Sequence, residues 1–127
     1  MKVEFALQRA VAGTAPAVDF TGKWINELNS EMTLTQRAEV ISGTYESTVS
    51  STGRKTIGDL QGYANGDLIS FIVHWREFQA LTSWCGQINP KTKSIDTLWQ
   101  MTKQVAEGEE WSSINAGADY FTRVSGK

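Results

Sequence analysis

The sequence predicts an all-β fold, an eight-stranded antiparallel up-and-down barrel, and three observations carry that prediction. Short runs rich in Thr, Ile, Val, Trp, Tyr and Phe recur along the 127 residues, and such side chains suit a pleated, half-buried surface. Turn signals separate the runs at short intervals: ELNSE (27–31), RAEVISG (37–43), SSTGRKT (50–56), YANGD (63–67), REFQ (76–79), NPKTK (89–93) and AEGEE (106–110). Within the runs, apolar side chains tend to recur at every second position, the period of a strand. Sequential antiparallel strands joined by short loops remove their own edges by closing into a barrel. An open β-sandwich is the competing architecture.

The strands fall near 22–27, 31–36, 41–50, 57–65, 67–75, 81–89, 94–102 and 118–124. The first two flank ELNSE. The third contains GTYEST (43–48), in which Tyr45 and Ser47 share a face that a core strand would give to Val and Leu. The fourth and fifth are joined at NGD (65–67), where Asn-Gly predicts the positive φ angles of a type I′ hairpin turn. In FIVHW, Phe71, Val73 and Trp75 point inward and Ile72 and His74 outward. Thr82, Trp84 and Gly86 share the inner face of the sixth strand, and Thr97, Trp99 and Met101 that of the seventh. Ile69, Ile72 and Leu98 read as outward apolar positions, and a sheet apolar on both faces calls for a partner. NPKTK predicts a turn between the sixth and seventh strands.

Two stretches depart from this pattern. Residues 1–19 form an N-terminal extension in which Val3, Leu7, Ala10 and Val11 have helical spacing and are expected to pack on something. Residues 20–125 form the barrel domain. Residues 103–117 are too long and polar for a hairpin and read as a functional loop or one helical turn carrying Trp111. No internal repeat or low-complexity segment is present.

Composition narrows the function. A net charge of −2 and a pI near 5.4 give no support to nucleic-acid binding, which usually shows as a basic patch. No apolar run approaches the ~18 residues of a membrane helix. The first twenty residues interrupt their apolar stretch with Glu4, Gln8 and Arg9, a poor signal-peptide core. Cys85 is the single cysteine and, next to inward Trp84, should face outward. His74 has no second ligand at metal-binding spacing, so no metal is expected.

In order, GKWINELNSEMTLT, SGTYESTV, FIVHW, LTSWCGQ, TLWQM and EEWSSINAGADYFTR resemble the biotin-binding avidins and streptavidins over roughly residues 20–124. Singly, these residues are unremarkable: a lone Trp is ordinarily core, and a lone Asp is ordinarily solvated. The ordered set of GTYES, Trp75, Trp84, Trp99, Trp111 and GADYFTR is what carries the resemblance. GKW with Arg123 is also similar to the wider class of ligand-carrying barrels, in which an early Trp and a late Arg close one end.

The resemblance implies non-catalytic, high-affinity binding of biotin, a cyclic urea fused to a thioether ring with a carboxylate tail. It implies that Asn26, Ser30 and Tyr45 donate to the urea oxygen, while Asp119 and Ser47 accept from the two N–H groups. Thr82 would meet the sulfur, and Trp75, Trp84 and Trp99 would wall the rings. Ser51 best matches the tail-binding position, whereas Ala80 stands where relatives often carry a hydroxyl. The resemblance further implies a homotetramer in which Trp111 caps the neighbour's ligand, a secreted or periplasmic location, and no cofactor beyond biotin as ligand. A lipocalin-like carrier of another small apolar ligand is the alternative. An enzyme is a third reading, weakened because lone His74 assembles no nucleophile–base set.

Overall fold

The structure is a computed structural model that describes residues 1–11, 13, 16–48 and 53–124. Its strands are β1 (Gly22–Asn26), β2 (Glu31–Arg37), β3 (Val40–Ser47), β4 (Thr56–Asn65), β5 (Leu68–Trp75), β6 (Ala80–Ile88), β7 (Ile95–Lys103) and β8 (Ile114–Arg123). Each pairs antiparallel with the next, and β1 pairs with β8, so the sheet closes into an up-and-down barrel. Closure excludes the open sandwich.

Alternation decides which side chains enter the barrel. In β5, Ile69, Phe71, Val73 and Trp75 are buried and their neighbours are exposed. This corrects the expectation for Ile69, which has the parity of Phe71 and lies in the core. Its neighbour Leu68 is the exposed apolar residue there. Ile72 and Leu98 face outward as expected.

One end of the barrel is sealed by the early Trp and the late Arg. Trp24 is fully buried, and its Nε1 donates to the Phe20 carbonyl at 2.9 Å. Register places Arg123 opposite Trp24, with its guanidinium carbon 4.4 Å from the ring centroid. That guanidinium also donates to the carbonyls of Thr21 (2.7 Å) and Asp19 (2.9 Å). A planar five-donor group can stack and bridge at once, which an ammonium cannot.

Three boundaries differ from the sequence reading. The β4–β5 hairpin forms, but Asn65 still pairs with Leu68, so Gly66 and Asp67 are the central turn residues. Gly66 has φ 61° and Asp67 has no positive φ, the pattern of a type II′ rather than a type I′ turn. Strand β8 begins at Ile114 instead of 118, because Asn115, Ala116 and Gly117 continue the ladder opposite Met101, Gln100 and Trp99. Gly117 is required there: a Cβ would come within 2.6 Å of the Trp99 indole. The loop therefore shrinks to 104–113, with the expected single turn, a 3-10 helix at Glu110–Ser112. Finally, β3 ends at Ser47, and the remainder of the third predicted strand reaches residues 49–50, outside the described ones.

The extension does form a short helix, α1 (Val3–Leu7), without Ala10 and Val11. It buries none of its residues, so the expected packing is not made among the described residues. Among the described residues, no helix is long and apolar enough to cross a membrane.

Candidate functional site

Five of the predicted polar residues converge on the inner wall from distant parts of the chain. Asn26 ends β1, Ser30 closes the β1–β2 turn, Tyr45 and Ser47 lie on the inward row of β3, and Asp119 lies on the inward row of β8. Asn26 is shaped by its turn: its Oδ1 accepts from the backbone N–H groups of Leu28 and Ser30, both at 2.9 Å. That aims its Nδ2 at the Tyr45 hydroxyl, 3.2 Å away. Tyr45 accepts this bond and keeps its own proton. Burial, then the nearby negative charges of Asp119 and Glu27, push its pKa well above the usual phenol value, so it remains a donor at all ordinary pH. Ser30 is buried, with its Oγ 3.4 Å from the Thr48 backbone N–H.

Aromatic side chains surround this cluster. The Tyr45 ring stacks on Trp84 with centroids 4.8 Å apart and meets Trp75 edge-on at 5.6 Å. Phe71 also stacks on Trp84, at 5.2 Å. Trp75 donates through Nε1 to Thr82 Oγ1 at 3.0 Å, and Trp84 through Nε1 to Asp119 Oδ2 at 2.9 Å. Both bonds fix the indole planes and satisfy N–H groups that would be costly to bury alone. Trp99 is half-buried on the same face, lying across Gly117. A cavity of about 310 Å³ opens at the barrel mouth; it reaches Ser47 and Trp75 but not Tyr45, whose ring fills the level below.

Asp119 has a partner that sequence reasoning missed. Glu27 follows Asn26 just past the end of β1, where the β1–β8 ladder would continue to Tyr120. Its Oε1 takes the place of a backbone carbonyl and accepts from the Tyr120 N–H at 3.1 Å. The two carboxyl groups hydrogen-bond each other. Burial first, then the bond to Glu27, raises the Asp119 pKa to about 6. For Glu27, burial acts upward but is outweighed by the bonds from Asp119 and the Tyr120 N–H, which hold it below the usual carboxylate value. Below about pH 6 the pair therefore takes up a proton, and these opposite shifts favour Asp119 as the group that gains it. The only local signal was an acidic residue adjoining a predicted site residue, which says nothing about a contact 93 residues away.

Two predicted residues stand apart. Trp111 is 84% exposed, in the 3-10 turn between β7 and β8. Ser51 lies outside the described residues. His74 and Cys85 are exposed on the outer face, and among the described residues no His, Cys, Asp and Glu group could hold a metal.

Chemically, the wall offers O–H and N–H donors from Tyr45, Ser30 and the remaining Nδ2 hydrogen of Asn26, and acceptors from Asp119 and Ser47. Indoles lie between and around them. Such a wall suits a compact, flat ligand that presents both a carbonyl-like acceptor and N–H donors.

The model of the Avidin family matches residues 14–124. The Gallus gallus protein named avidin is 30% identical over 125 residues, covering 87% of this chain and 82% of that protein. Among solved structures, xenavidin superposes with a TM-score of 0.70 at 29% identity, covering 85% of this chain and 99% of the other. The rhizavidin–biotin complex superposes with a TM-score of 0.73 at 25% identity, covering 84% and 93% respectively.

Proposed function

We propose that this chain binds biotin without catalysis, and the premise is that the chain belongs to the avidin family. The observation that carries the proposal is the convergence of Asn26, Ser30, Tyr45, Ser47 and Asp119 beside Trp75, Trp84 and Trp99. A ureido ring needs donors at its oxygen and acceptors at its two N–H groups, because a buried polar atom left unpaired costs ~1–3 kcal/mol. A carrier of purely apolar molecules has no use for five converging polar side chains, which disfavours the lipocalin-like alternative.

In this reading Tyr45, Ser30 and Asn26 donate to the ureido oxygen. Asp119 and Ser47 accept from the two N–H groups, Thr82 faces the sulfur, and Ser51 takes part in tail recognition. Entry of the rings separates Tyr45 from Trp84, since a 4.8 Å stack leaves no room for a third ring. Tryptophan fluorescence should therefore change on binding.

The same reading places the protein in a homotetramer, outside the cytoplasm. Trp111 is exposed on a polar loop, and Leu98 is 70% exposed beside Ala116, Gly117 and Ala118. Burying such a surface against a second copy, with Trp111 reaching the neighbour's mouth, removes costly apolar exposure. Titration calorimetry with biotin, supported by retention on biotin-agarose that free biotin competes away, tests the binding reading. Saturable heat and competed retention are expected. Absence of both refutes it.

A further inference from the structure

The mouth of the barrel carries a cation that the ligand assignments above do not use. Lys103 is the last residue of β7 and continues the inward row of Thr97, Trp99 and Met101. It lines the 310 Å³ cavity together with Ser47, Trp75, Phe78, Ala80 and Met101. Directly across the β6–β7 ladder from Lys103 is Ala80, the position at which a hydroxyl was expected. The small methyl leaves space at the rim, and the register puts a long cationic side chain beside it.

Two further features make Lys103 suited to an anion. It is half-buried, and the only partner its Nζ takes among the described residues is Asn115 Oδ1, a neutral acceptor that leaves the charge uncompensated. Among the described residues, the lysines and arginines in ion pairs are Lys23, Arg54, Lys55 and Arg76, all on acidic side chains. Met101, Phe78 and Trp75 provide an apolar surround, in which a charge-assisted bond is stronger than in open water. Ser47 and Trp75 belong both to this cavity and to the proposed ring site, so a chain leaving the rings enters the cavity that Lys103 borders.

We propose that Lys103 recognises the carboxylate at the end of the ligand's tail, making the site selective for the free acid over a neutral amide; this rests on the biotin reading. The distinction matters chemically, because biotin joined to a protein lysine is an amide and has lost that charge.

Equilibrium and dissociation measurements with biotin and with biotinamide, on the wild-type protein and on Lys103→Gln, test the proposal. The wild type should favour the acid by about tenfold, the size of one charge-assisted hydrogen bond at a half-buried site. That preference should shrink as salt is added. Lys103→Gln removes the charge and keeps a polar group on a chain one atom shorter, so the preference should fall to about twofold or less, with the larger loss on the acid. An unchanged acid-to-amide ratio in Lys103→Gln overturns the role of Lys103 and leaves biotin binding standing. Failure of the wild type to bind either compound overturns the biotin reading and this inference with it.

Discussion

Replacing Glu27 with Gln should change how biotin binding depends on pH more than how tightly biotin binds at neutral pH. With the Asp119 carboxyl at about 6, only about a tenth of it is ionised at pH 5. A ligand N–H that prefers the carboxylate to the neutral acid then binds up to about tenfold more weakly at pH 5 than at pH 8. The Glu27→Gln side chain can still accept the Tyr120 N–H through its oxygen, so the local backbone geometry is kept. It removes the neighbouring negative charge and offers an amide donor to Asp119, which favours the ionised form. Burial remains, so the acid-side loss should shrink to roughly two- to threefold rather than vanish. Competition between biotin and a fluorescent analogue from about pH 5 to about pH 8 reads the profile directly. A flat wild-type profile would refute the raised pKa of Asp119. So would a Glu27→Gln profile superimposable on the wild type.

Asp119→Asn should weaken biotin binding about tenfold or more, mostly through faster dissociation, yet should not lower stability at neutral pH. Because the folded-state pKa of Asp119 lies above the unfolded value of ~3.9, the native state binds the proton more tightly. That contribution is complete below the unfolded value and lost as pH rises through about 6. The Asn variant should thus melt no lower than wild type at pH 7, with a gain of up to ~1 kcal/mol after allowing for solvent screening at this half-exposed group. The gain should disappear near pH 4, and a clearly lower melting temperature at pH 7 would contradict the assignment. Tyr45→Phe removes only the hydroxyl and should speed biotin dissociation by roughly tenfold, with a stability loss of ~1–3 kcal/mol from the buried Asn26 Nδ2 left without its acceptor; an unchanged off-rate with a lowered melting temperature would mark Tyr45 as structural only. Trp111→Lys should weaken biotin binding and shift the assembly from tetramer toward dimer by light scattering, with each barrel still folded. A wild-type monomer that binds biotin tightly would sink the shared Trp111.

The sequence by itself determined the strand content, the order of the strands and most of the inward rows. Those follow from local rules: β-branched and aromatic residues on a pleat, a period of two, and turn residues between runs. Trp75, Thr82 and Trp84 could therefore be placed inside one strand at a time. Ile69 was misplaced although its parity with Phe71 was available. The start of β8 was hidden because Ala116 and Gly117 read as loop until Trp99 is seen lying across Gly117. Only the tertiary structure decided which rows face one another. Closure through β1 and β8 brings Glu27 to Tyr120 and Asp119, seats Trp84 on Asp119, and sets Lys103 opposite Ala80. Each of these contacts joins residues whose local patterns carry no trace of the other, since register and closure arise from the whole sheet. The raised pKa of Asp119 and the uncompensated charge at the mouth are consequences of that assembly, and no single strand contains them.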